Sequence, residues 1–327
     1  MAERRSATHV TYRYSEAKRK RTARSRRQGG REVSQPFPMP VATEPRVATR
    51  RTERAATRRT ERVAAPVRSE GTMPGVSRAS TKIYSAETDR VTNVLEYPYS
   101  AVGKVLARKG NSTWHGSGWI VGRRAIVTAG HVVNKRSDAL PESQWQFYDN
   151  LFFAPEYTPQ STGPEFRLVE CRIHRNFVDP RVRDHLRWDI AVAYVEEDLI
   201  RDYGSLGYDA SGAIEDGEPV ESVGYPLKSR PLNPAENGGQ HDFENHDFDG
   251  NQMWYSFGEC LGTASDFHHM SNEMTPGCSG GPWLANETVA VGLNSHGNAV
   301  HNNSNYSPIF DDDFLALINW LIEKDAF

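Results

Sequence analysis

The chain has 327 residues, 37% of them hydrophobic and 25% charged, with a formal net charge of −3. That length and composition suit a folded protein with a core large enough to stand without a disulfide staple. No apolar run reaches the ~18 residues needed to cross a bilayer, and Cys171, Cys260 and Cys278 show no zinc or C-x-x-C spacing.

The net charge hides a split. Residues 1–70 hold 19 Lys+Arg against 7 Glu and no Asp, whereas the remainder is net −15. This basic arm has few apolar residues and no period that buries a face, so it reads as disordered. "ATRRTER" occurs at Ala48–Arg54 and again at Ala56–Arg62, a low-complexity repeat too short for a solenoid unit. The start is basic but lacks the apolar stretch of a secretory signal, so export by that route is not visible. Arm and linker are expected over residues 1–95.

From Tyr97 the texture changes to short apolar runs between Gly, Pro and Asn turns. "AVGKVLA", "GSGWIVG", "AIVTAGHVV", "FRLVECRI", "DIAVAYV", "PVESVGYP", "QMWYSFGEC", "GPWLA" and "TVAVGLNSHG" read as strands. Many short strands with Gly-rich turns predict an all-β body, and its length suits two barrels better than one. The stretch "SRPLNPAENGGQHDFENHDFDGN" is acidic and nearly free of apolar residues; it reads as a solvated loop rather than a calcium or zinc site. The end differs again. In "DDDFLALINWLIEKDAF", Phe314, Leu317, Ile318 and Leu321 mark one face of a helix over 312–325, with Asp311 to Asp313 at its start and Lys324 in its last turn.

Acyl transfer needs a nucleophile, a base, a group to orient the base, and donors for an oxyanion. "GCSGGP" offers Ser279 between Gly277 and Gly280, with the N–H groups of Gly277 and Ser279 as the donors. Glycine is required there because a Cβ would crowd an approaching carbonyl. "VTAGHVV" offers His131, at the end of a strand and a Gly turn, and "RWDIAVAYV" offers Asp189. Each alone has an ordinary explanation: a tight hairpin, a core histidine, a strand-end cap. Cys278 is the rival nucleophile. The order His, Asp, Ser differs from that of subtilisin and of the α/β-hydrolases.

On "TAGHVV", "WDIAVAYV" and "GCSGGP", with "IHRNF" upstream of the aspartate, residues 96–327 resemble the trypsin/chymotrypsin-fold serine endopeptidases. "YPYSAVGKV", "GSGWIVG", "VGYP" and "QMWYSFGECLG" are similar to their glutamyl-endopeptidase-like branch. The resemblance implies two perpendicular six-stranded antiparallel β-barrels, about 96–200 and 205–310, followed by the C-terminal helix. It implies that Ser279 attacks, His131 shuttles the proton and Asp189 fixes the imidazole. It places Ser295 on the aspartate, and the "NSHG" residues Asn294, Ser295, His296 and Gly297 beside the substrate. Glu273, six residues before the serine, falls at the pocket floor and implies a basic residue before the scissile bond. Met274 and Asn294 replace the side chains with which the glutamyl branch reads glutamate.

No cofactor or metal is implied, and the partner is a polypeptide substrate. The arm reads as a propeptide, a targeting segment, a plain tail, or a contact for nucleic acid through phosphate charge alone. The competing function is a catalytically weak, protease-like binding module whose basic arm holds nucleic acid or an acidic partner.

Overall fold

The computed structural model describes residues 2–5, 8–13, 86–109, 112–136, 146–161, 163–227, 247–264, 266–297 and 304–327. In chain order the strands are β1 (Ala2–Arg5), β2 (His9–Arg13), β3 (Glu87–Arg90), β4 (Val102–Lys109), β5 (Ser112–Gly122), β6 (Ala125–Thr128), β7 (Leu151–Pro155), β8 (Phe166–Arg167), β9 (Glu170–His174) and β10 (Ala191–Tyr194). They continue as β11 (Gly207–Tyr208), β12 (Pro219–Gly224), β13 (Trp254–Ala264), β14 (Phe267–Ser271), β15 (Pro282–Ala285), β16 (Val289–Leu293), β17 (His296–Gly297) and β18 (Ser304–Pro308). Among the described residues three α-helical segments accompany them: α1 (Gly130–Val133), α2 (Ile200–Tyr203) and α3 (Asp312–Glu323).

The strands form two sheets. The first runs β1-β2-β9-β10-β6-β5-β4-β7-β8, and the second β11-β16-β15-β12-β13-β14-β18-β17 with β3 on β13. Every pairing is antiparallel except the two-residue contact of β11 with β16. The fold is thus mostly β in two sheets, as the alternating apolar runs predict. The fully buried Trp119, Phe153, Ile120 and Ile126 fill the first sheet, and Trp283 and Val220 the second.

Helix α3 follows the predicted face: Phe314, Leu317, Ile318 and Leu321 are buried. Asp311 caps its start, its Oδ1 accepting from the N–H of Asp313 at 2.9 Å and of Phe314 at 3.4 Å. Lys324 at the other end meets Glu170 of β9 at 2.9 Å, which fastens the helix to the first sheet.

One expectation needs correcting. Three strands lie inside the 1–95 stretch read as arm and linker. Val10 and Tyr12 alternate with Thr11 and Arg13, a period of two that suits a half-buried strand, and β2 lies on β9 over its whole length. Strand β3 pairs with β13 from Glu87 to Arg90. The five-residue pattern is short enough to be lost in the surrounding basic composition. The disorder expected for 14–85, the "ATRRTER" repeat and most of the acidic loop fall outside the described residues. Asp249 of that loop is exposed and closes a local turn, accepting from Asn251 N at 2.7 Å.

Candidate active site

The site is assembled from the ends of strands in both sheets. Strand β6 delivers α1, and His131 is its second residue. Asp189 follows a 3-10 turn, His185–Trp188, and leads into β10. Because β6 and β10 are neighbours, Thr128 faces Ala191, and the two ends carrying His131 and Asp189 come side by side.

Asp189 is fully buried, and three donors converge on its carboxylate. Oδ1 accepts from the His131 backbone N–H at 2.8 Å, and Oδ2 from His131 Nδ1 at 2.7 Å and Ser295 Oγ at 2.6 Å. A buried carboxylate without such partners would cost several kcal/mol. The two bonds to one residue fix both ring and backbone of His131, and they require the tautomer with hydrogen on Nδ1. That leaves Nε2 as an acceptor. Burial pulls the His131 pKa down, but the Asp189 charge and hydrogen bond outweigh it and hold the group above 6.5.

Ser279 stands in the turn between β14 and β15, half-exposed. Two observations place this turn next to α1. Gly280 has φ +86° and faces Ala129, so that a Cβ would lie 2.7 Å from Ala129 N and closer still to Thr128 Oγ1. Gly116 lies between Val132 and the Ser279 carbonyl, which also accepts from Ser117 N at 2.7 Å. Among the described residues no hydrogen bond joins the Ser279 hydroxyl to His131; such bonds are often long before substrate arrives. Gly280→Ala therefore combines a disfavoured φ with backbone overlap and should cost about 3 kcal/mol or more. Thermal denaturation checks this, and a melting temperature equal to the parent's would contradict it.

The backbone of the turn is oriented by its carbonyls. Pro276 O accepts from Leu227 N at 2.7 Å, so the N–H of Gly277 in the same peptide points the other way. Cys278 O accepts from Gly281 N at 2.8 Å, which turns the Ser279 N–H likewise. Gly277 O accepts from Ser117 Oγ at 2.9 Å. Neither the Gly277 nor the Ser279 N–H has an acceptor among the described residues. A pair of N–H groups without protein partners, beside a serine hydroxyl, suits a developing oxyanion. Gly277 has φ +106°, and a Cβ there would sit 3.0 Å from His115 Nε2.

The rival nucleophile lies in apolar surroundings. Cys278 is buried among Phe248, Trp254 and Met274, and burial pushes its thiol up to about 12. All three cysteines are free and buried.

The expected substrate residues divide. His296 is half-buried, stacked on Tyr306 at 5.1 Å between centroids, with Tyr306 stacked in turn on His269 at 4.4 Å. His296 and Gly297 pair with β18, opposite Tyr306 and Asn305. Asn294 is a correction. Its side chain is 2% exposed and forms a hub, with Oδ1 accepting from Ser222 Oγ, Asn272 Nδ2 and Trp283 Nε1 at 2.9–3.0 Å. Its backbone is held by Gly280 and Gly281, against the serine turn, and its side chain faces the core. Met274 is likewise buried, its sulfur 3.7 Å from Ser222 Oγ. Glu273 is half-buried, its N–H held by Ser256 Oγ at 3.2 Å. The sequence reading missed Ser117, whose hydroxyl bridges Gly277 O and Tyr225 N. Its place in a Gly-Ser-Gly strand gave no sign of that role.

Among the described residues no cluster of His, Cys, Asp or Glu could hold a metal ion, and no helix is long and apolar enough to cross a membrane.

Residues 116–293 match the trypsin-like peptidase domain. A glutamyl endopeptidase of Bacillus licheniformis is 24% identical over 145 residues, covering 44% of this chain and 42% of the relative, so the match spans less than half of that protein's length. Among solved structures, protease Anisep from Arthrobacter nicotinovorans superposes with a TM-score of 0.54 at 19% identity, covering 72% of this chain and 98% of the other. A Glu endopeptidase gives 0.56 at 16% identity, covering 73% and 97%. These likenesses agree with the two-sheet fold, and the domain match takes in β6, α1, β10 and the Ser279 turn, so the chain belongs to the trypsin-like peptidase family.

Proposed function

We propose that the protein is a serine endopeptidase that hydrolyses polypeptides through an acyl-enzyme, with Ser279, His131 and Asp189 as its triad. Ser279 Oγ attacks the scissile carbonyl while His131 Nε2 takes its proton. The carbonyl oxygen, now anionic, moves into the space faced by the Gly277 and Ser279 N–H groups. His131 then protonates the leaving amine, and water repeats the sequence on the ester. Asp189 keeps Nε2 free to accept and stabilises the imidazolium. The observation that carries this reading is the three-donor clamp on buried Asp189, with the Ser279 turn packed against the helix that bears His131.

For the residue before the scissile bond, the proposal is a basic side chain selected by Glu273. Met274 and Asn294 are turned into the core and are not free to read a substrate, which leaves Glu273 as the charged group on the segment entering the oxyanion turn. Cleavage-site mapping on an unbiased peptide mixture, with Ser279→Ala as control, tests activity and selection together. Cuts after Arg and Lys are expected. Cuts after Glu, the preference named by the relative, would overturn the assignment of Glu273 while leaving the triad standing.

The pH dependence follows from His131, which must be neutral to act. Its pKa is held above 6.5, so kcat/KM should rise with pH along a limb centred above pH 6.5. A limb at or below pH 6 would contradict the Asp189 contact. The stability effect has the opposite sense. A pKa raised by folding favours the protonated native state, so this contribution is full below 6.5 and is lost as pH rises through the folded value.

A further inference from the structure

We infer that the N-terminal strand β2 is a permanent part of the peptidase body, and that His9 within it is a positioning residue for Asp189.

Strand β2 pairs with β9 from His9↔His174 to Arg13↔Glu170. The Thr8 carbonyl extends the ladder, accepting from Arg175 N at 2.6 Å. His9, Val10 and Tyr12 are 5%, 3% and 7% exposed, burial far beyond that of a surface tail. Tyr12 stacks on Phe147 at 5.2 Å and its hydroxyl donates to Asp149 Oδ1 at 3.3 Å. Arg13 joins the Glu170 carboxylate, the same group that holds Lys324 after α3. Without β2, the edge of β9 and the fully buried Cys171 opposite Tyr12 would be uncovered.

The link to the site is a short row of rings. His9 sets its edge on His174 at 5.3 Å between centroids, and His174 stacks on Trp188 at 5.4 Å and 16°. Trp188 is the residue before Asp189. Its indole N–H donates to Asp313 Oδ2 at 2.8 Å, so the ring is gripped between α3 and β9. His9, on β2, packs on the far side of His174. His174 also accepts from Asn176 N at 3.2 Å and faces Asp313 Oδ1 at 3.6 Å, so removing the His9 ring takes away one of its three supports and loosens, without releasing, the stack on Trp188 and the turn that aims Asp189. Small displacements of this kind lower kcat because the reacting groups lose alignment, while substrate binding is untouched.

The inference rests on the serine peptidase reading for its kinetic arm only. Hydrogen exchange on the full-length chain tests placement without any activity. Amides of residues 8–13 should exchange at least ~100-fold more slowly than an unstructured reference, and complete exchange at the earliest times would overturn the inference. In the kinetic arm, His9→Ala should lower kcat by ~3- to 10-fold with KM unchanged, and His9→Phe should restore it to within about twofold. Val10→Ala should lower the melting temperature and leave kcat as it was. Unchanged kcat in folded His9→Ala would remove the positioning role; if that variant does not fold, His9→Leu takes its place. Labelling of the wild-type chain by a fluorophosphonate separates the two claims. Protected residues 8–13 with no label would sink the peptidase reading and leave the strand in place.

Discussion

Ser279→Ala should lower kcat by about 10⁵- to 10⁶-fold, the range seen when an acyl-enzyme nucleophile is removed. The residue makes no side-chain hydrogen bond among the described residues and is half-exposed, so stability should change by no more than about 0.5 kcal/mol. That separation of activity from stability is the point of the experiment, and circular dichroism melts beside steady-state kinetics provide it. Cys278→Ala should show the reverse pattern, since the thiol is buried in an apolar cluster. It should lose about 1 kcal/mol of stability and retain most of its rate. An enzyme that tolerates Ser279→Ala but not Cys278→Ala would reverse the assignment of nucleophile.

Asp189→Asn should reduce kcat by about 10⁴ with little change in KM. Oδ2 accepts from both His131 Nδ1 and Ser295 Oγ, and Oδ1 from the His131 N–H. An amide of the same shape has one acceptor where the carboxylate has two. If its oxygen keeps the backbone N–H, its NH₂ faces the imidazole as a donor. The ring must then carry its hydrogen on Nε2, where it cannot take a proton from serine. A loss of 10⁴ corresponds to about 5.5 kcal/mol of transition-state stabilisation. Steady-state kinetics across a pH series is the check, and a loss below tenfold would mean that the carboxylate is structural only.

Much of this arrangement was legible because it is written locally. The strands around "GSGWIVG", "AIVTAGHVV" and "DIAVAYV" bury nearly every residue, and their apolar runs show it. The face of α3 follows a period of 3.6 and its cap is an aspartate in the expected place. The glycines of the serine turn were expected as room for a substrate carbonyl; the structure adds a packing reason that the sequence did not show, since their missing Cβ atoms would strike Thr128 and Ala129 at Gly280 and Tyr225 at Gly277.

What escaped the sequence was polar or short. Strands β14 and β18, "FHHMS" and "SNYSP", bury His268, Ser271, Asn305 and Ser307, which find hydrogen-bond partners only once the sheet exists. Asn294 looked like a substrate contact because it sits one residue before Ser295; its inward turn depends on Ser222 and Asn272, 72 and 22 positions away. Strand β2 was hidden because its partner, β9, lies more than 150 residues along the chain, and only that partner reveals why Val10 and Tyr12 alternate. Tertiary partners, not local preference, decide such elements.

Mass-spectrometric mapping of a fluorophosphonate adduct on the full-length protein tests the central claim most directly. One adduct on Ser279, abolished by His131→Ala while the fold persists, is the expected result. A folded, unlabelled protein, or an adduct on any other residue, would contradict it.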